Sequence, residues 1–226
     1  MRRALAVLPL LAAAMAGESR AGEVRNAVAV LEVFTRTLPH QVPDAAPPRF
    51  ALLEDGQVFV GGTRSLLAGK LSSRELRDLE KRLSGVRKLP GLAGDITLGP
   101  GERRHRLRLF KGGRPLDLRV TGEPEEARPE MRELATLLRE LERFAHPTLG
   151  PYRPETYALS AREGTLRGGC RRWRTSPDVA MAVFAPIGVP ARIAAGWPTG
   201  ATPASVCAGD RNYVVTLRPL LPGEQP

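Results

Sequence analysis

The sequence predicts an α+β fold: an antiparallel sheet built from two hairpins, with two amphipathic helices on one face and a disulfide-stapled C-terminal extension. Three observations predict it. Pairs of short apolar runs flank Asp55-Gly56 and Gly112-Gly113, a stretch of helical periodicity follows each pair, and the only two cysteines, Cys170 and Cys207, lie beyond the second helix.

The chain opens with Met1-Arg2-Arg3 and an apolar run over residues 4–16, the layout of a secretory signal peptide with cleavage expected after Ala16 or Ala21. That run is shorter than the roughly 20 residues of a membrane-spanning helix. No cysteine lies near either cleavage point to accept a lipid, and the exported chain is expected to be periplasmic or extracellular, with no transmembrane span once the signal is removed. Residues 22–48 read as an N-terminal segment and linker. Residues 24–37 are mixed in character, and 38–48 carry Pro39, Pro43, Pro47 and Pro48, which suits a linker or an extended arm.

The core is expected over 49–161. Residues 50–60 (FALLEDGQVFV) predict a hairpin around Asp55-Gly56. A two-residue turn there sets Leu53 against Val58, Leu52 against Phe59 and Ala51 against Val60. Both faces of that ribbon are apolar, so both should be covered. Ser72 and Glu75 form a capping box that opens a helix with a stripe of Leu76, Leu79, Leu83 and Val86. Residues 106–110 and 116–120 then alternate strictly around Gly112-Gly113, pairing Leu109 with Leu116, Leu107 with Leu118 and Arg108 with Asp117. One side of this second ribbon is therefore core and the other wet. Met131, Leu134, Leu138, Leu141 and Phe144 make the second helical stripe, and Pro147 stops it. A strand is expected over 157–161, and 162–226 is expected as an extension packed on the core. In an exported chain, Cys170 and Cys207 have only each other as partners, so one disulfide is predicted.

The string at 50–59, the Leu-Ser-x-x-Glu-Leu start of the following helix and the Gly91-Leu92 beyond it resemble a hairpin-plus-helix unit shared by functionally uncharacterised exported bacterial proteins. The resemblance covers about half the chain. It supports the fold and implies no activity.

Signatures of catalysis are missing from the sequence. Residues 61–70 do not keep the spacing of a phosphate-binding loop, because Arg64 stands where its first glycine belongs and Leu71 where its hydroxyl belongs. No G-x-S-x-G elbow is present. The three histidines, His40, His105 and His146, are scattered and read as solvated side chains, and no metal or cofactor is expected. Asp95, Glu102 and Asp117 are the carboxylates able to approach one another as an acid and base pair. Trp173, Trp197 and Tyr213 are the candidate sugar platforms, with core filling as the plainer reading.

Charge supplies the remaining lead. The chain carries 34 basic against 24 acidic residues for a net +10, of which residues 1–21 hold +2, leaving +8 after export. Only Lys70, Lys81, Lys88 and Lys111 are lysines, so the arginine excess partly reflects a GC-rich genome. The excess is nonetheless localised. Residues 100–121 carry +5, 122–160 carry −3 and 162–226 carry +4. Arg104, Arg106, Arg108 and Arg119 should project from the wet face of the second hairpin, and Arg171, Arg172 and Arg174 surround Trp173. Guanidinium forks suit phosphate and carboxylate. The expected function is therefore non-catalytic binding or a structural role in the envelope or secretome, with an anionic envelope polymer, a lipid head group or an acidic protein as partner. Nucleic acid is not expected. The alternatives are a secreted carboxylate-dependent hydrolase and a secreted protease inhibitor. An acidic helix folded over the arginines would cancel the binding face.

Overall fold

Five consecutive apolar residues, Ala27 to Leu31, have no visible period, and they form the strand on which the first sheet is centred. The computed structural model describes residues 24–34, 46–61, 66–89, 91–92, 94–175 and 177–226. The expected signal peptide, Pro39, His40 and Pro43 lie outside the described residues. In chain order the elements are β1 (Ala27–Phe34), β2 (Phe50–Leu53), β3 (Gln57–Val60), β4 (Leu67–Lys70), α1 (Ser73–Val86), β5 (Asp95–Thr97), β6 (Arg104–Leu109) and β7 (Leu116–Thr121). They continue with α2 (Arg132–Glu142), β8 (Gly150–Pro151), β9 (Thr156–Glu163), β10 (Arg171–Arg172), β11 (Ile187–Pro190), α3 (Ala191–Ala194), β12 (Gly200–Ala208) and β13 (Arg211–Pro219).

Among the described residues the strands form two sheets, an eight-stranded one ordered β5-β7-β6-β1-β2-β3-β4-β8 and a five-stranded one ordered β10-β12-β13-β9-β11. The fold is α+β, and both sheets are mixed, with β5 parallel to β7 and β10 parallel to β12. The two hairpins expected from the sequence are present, but β1 lies between them and pairs antiparallel with both β2 and β6. A strand buried on both faces reads as an apolar run, which is why 24–37 gives no alternation.

Both helices lie on one face of the first sheet. Leu79, Leu83 and Val86 of α1 and Leu134, Leu138 and Leu141 of α2 share a core with Leu31, Phe50, Leu52, Leu107, Leu109, Leu118 and Val120. The Ser72 capping box is formed as the sequence predicts. The other face of the β2–β3 ribbon is also covered: Ala51, Leu53 and Phe59 pack with Leu66 and Leu221, and Tyr152 meets Phe59 edge-on.

The register of that ribbon differs by one residue from the expected one, pairing Phe50 with Val60, Ala51 with Phe59 and Leu52 with Val58. A three-residue loop causes the slip. Gly56 takes φ +84°, and the Asp55 carboxylate accepts from the Gln57 N–H at 3.0 Å, so Glu54, Asp55 and Gly56 turn together before a bulged return. In the second ribbon the predicted pairs Leu107–Leu118, Arg108–Asp117 and Leu109–Leu116 are all observed.

A boundary at residue 161 falls inside β9, which is a central strand of the second sheet and not the last strand of the first. Residues 156–219 build a core of their own from Leu159, Val189, Val206, Tyr213, Val215 and Leu217, with Trp173 and Val179 laid over it. The Cys170–Cys207 disulfide joins the approach to β10 with β12. Closing a loop of this separation stabilises by about 4 kcal/mol in the chain-entropy picture.

Candidate functional site

Strand alternation divides β6 sharply. His105, Leu107 and Leu109 turn towards the helices and are buried, while Arg104, Arg106 and Arg108 point to the opposite face. On β7 the same alternation puts Leu118 and Val120 inside and Asp117, Arg119 and Thr121 outside. The acidic helix cannot cancel these arginines, because α2 lies on the other side of the sheet.

The outward residues Arg104, Arg106, Arg119 and Thr121 floor an open groove of about 890 Å³, which Phe34, Asp95, Gly101 and Glu102 also line. Phe34, at the end of β1, is 40% exposed and forms an apolar wall. Asp95 of β5 stands in register with Arg119, and Glu102 comes from the loop before β6. Tight glycine packing fixes that loop. Gly122 has φ +112°, and a Cβ there would lie 2.6 Å from the Gly99 carbonyl oxygen.

The arginines of this face differ in state. Arg106 sits directly opposite Arg119, a like-charge pair, and Asp117 offsets it by a two-pronged bond to Arg106, Nε to Oδ1 at 3.0 Å and Nη2 to Oδ2 at 2.7 Å. The Arg106 hydrogen bond, helped by the charges of Arg106, Arg108 and Arg119, holds the Asp117 carboxyl below its usual 3.8 against the opposing effect of burial. Arg108 reaches Glu32 of β1, with Nη2 3.3 Å from Oε1. The side chains of Arg104 and Arg119 are exposed and make no hydrogen bond or ion pair among the described residues. Within the groove they are the donors left for a ligand.

On the helix side, His105 corrects the sequence expectation. It is 1% exposed, and its Nε2 pairs with the Glu142 carboxylate at the end of α2. Arg103 stands 3.5 Å from the other Glu142 oxygen, and Arg49 Nε donates to the Glu142 carbonyl at 2.7 Å. Burial pushes the Glu142 carboxyl up, but the His105 hydrogen bond and the charges of His105, Arg103 and Arg49 outweigh it and hold the group below its usual 4.5. The helix-side parity of β6 could have marked His105 as inward, whereas nothing local to the sequence marks Glu142 as its partner. His146 is also engaged, bonding Thr148 at 2.7 Å and Glu75 at 3.1 Å.

The remaining candidates separate from the groove. Arg171 and Arg172 form β10 on the edge of the second sheet, and Arg174 follows them. The Arg171 guanidinium lies 4.5 Å above the Trp197 ring and donates to the Gly196 carbonyl. Trp173 and Tyr213 are 7% and 2% exposed, which makes them core and not sugar platforms. Of the three carboxylates proposed as a pair, Asp95 and Glu102 share the groove and Asp117 is committed to Arg106.

Fold and site together define a two-sheet α+β protein whose first sheet bears arginines on the face turned away from α1 and α2. No protein-family model, curated protein or solved structure matches the chain.

Proposed function

We propose that this is an exported, non-catalytic binding protein of the bacterial envelope or secretome, taking an anionic ligand on the open face of the first sheet. The observation that carries the reading is the groove itself: among the described residues the side chains of Arg104 and Arg119 have no ion-pair partner, and they stand beside Arg106 on the face of the first sheet turned away from α1 and α2. Its volume falls in the range of small-ligand sites, and its phenylalanine wall adds an apolar contact beside the guanidinium forks. A ligand bearing phosphate or carboxylate groups matches that chemistry. Export rests on the basic start and apolar run of residues 1–16 and on the disulfide, which an oxidising compartment preserves.

A carboxylate-dependent hydrolase is the second reading, favoured by Asp95 and Glu102 in the same groove. Asp117, the carboxylate beside Arg106, is held ionised, which suits an ion-pair partner and not a general acid. Retention on heparin resin tests the binding reading. Replacing Arg104 and Arg119 with serine should lower the salt needed for elution, while Arg171→Ser with Arg172→Ser should leave the groove contribution intact. Unchanged elution of the Arg104/Arg119 variant would remove the proposal.

A further inference from the structure

Between the two disulfide cysteines, Val179–Val183 winds into a single 3-10 turn. Its inward residues Val179 and Ala182 are 0% and 3% exposed in the second core, whereas Met181, Val183 and Phe184 are 59%, 38% and 86% exposed. A side chain lying in a hollow cannot reach such exposure, so Phe184 stands out from the surface. The tip is also braced. Asp178 caps the turn by accepting from the Ala180 N–H at 3.0 Å, and Trp173 Nε1 donates to the Pro177 carbonyl at 2.9 Å. The disulfide closes the whole stretch.

We infer that this tip is a membrane-interface anchor that inserts Met181, Val183 and Phe184 into an anionic lipid surface. Size favours lipid over protein. Three side chains on a convex tip fall far short of the roughly 800 Å² that each partner buries in a stable protein interface. Shallow insertion into a bilayer needs apolar area and no complementary surface. Charge points the same way. In residues 170–199 the exposed cations Arg171, Arg172, Arg174 and Arg192 face one exposed carboxylate, Asp178. An excess of exposed cations on the segment that carries an apolar tip favours an anionic over a neutral lipid surface. A protease cleft takes an extended segment, which the wound backbone of Val179–Val183 does not offer.

The anchor is independent of the arginine groove, and the two can fail separately. The test uses a chain starting at residue 22, which keeps every described residue and removes the apolar run at 4–16. It should co-sediment with vesicles of phosphatidylglycerol and phosphatidylcholine at 1:3 and bind pure phosphatidylcholine more weakly. Phe184→Ser should keep the wild-type thermal midpoint, because the side chain packs against almost nothing, and lose about tenfold or more in partitioning. Phe184→Trp should show an emission shift to shorter wavelength on vesicles that the wild type lacks. The Arg104/Arg119 serine variant should partition like the wild type. The inference is overturned if the wild type stays in solution, if Phe184→Ser partitions unchanged, or if the groove variant loses lipid binding. A wild-type dimer in sedimentation velocity that Phe184→Ser abolishes would also overturn it, by making the tip a self-contact.

Discussion

The buried carboxylate of Glu142 holds the end of α2 to β6 through His105 and to the loop before β6 through Arg103. Its folded pKa is depressed, so its contribution to stability is fully present above the unfolded value near 4.5 and is lost as pH falls through the folded value. Glu142→Gln should flatten that acid-side loss in chemical denaturation run from pH 7 to pH 3. At pH 7, Glu142→Ala should cost about 3 kcal/mol, because it leaves His105 buried without its partner. A cost below about 0.5 kcal/mol would show that the pair is not a structural tie. Asp117 is the matching residue on the open face. Asp117→Asn should remove one negative charge from this face, weaken the hold on Arg106 and raise the salt needed to elute the protein from heparin. Such side-chain partnerships were the least legible part of the chain: Glu142 is 37 residues from His105, and only the packing of α2 on the sheet makes them neighbours.

Local chemistry, by contrast, reads through to the elements. The Ser72 capping box, the stripes of both helices and the register of the second ribbon follow from residues within a few positions of one another. The cap leaves a measurable mark, since hydrogen bonds from Ser72, with His146 adding to them, bring Glu75 down to about 2. Ser72→Ala should return the Glu75 titration towards 4.5 in a carboxyl NMR experiment and lower the melting temperature by about 3 °C. Elements whose signal is not local were harder to read. β1 hides its period because both its faces are buried, and the first hairpin slips one residue because Gly56 makes a bulged three-residue turn where two residues would have sufficed. The open groove was legible in part. Alternation put Arg104, Arg106, Arg119 and Thr121 on one face, while Phe34 joins them only through the pairing of β1 with β6.

The molecule as a whole is two sheets with separate cores, tied where Leu221 packs beneath the β2–β3 ribbon and Tyr152 donates to the Leu220 carbonyl at 3.2 Å. The disulfide ties only the second sheet, joining the residue before β10 to β12. Reduction should therefore speed amide hydrogen exchange in β12 and β13 while β1, β2 and β6 keep their protection; uniform loss would show one cooperative unit. The same separation puts the two candidate surfaces on different sheets, the arginine groove on the first and the apolar tip on the second. The central claim is that the groove is the ligand surface, and NMR titration with inorganic polyphosphate as the anionic probe tests it most directly. Shifts should concentrate on Arg104, Arg106, Arg119, Thr121 and Phe34; shifts confined to Arg171, Arg172 and Arg174, or none at all, would contradict it.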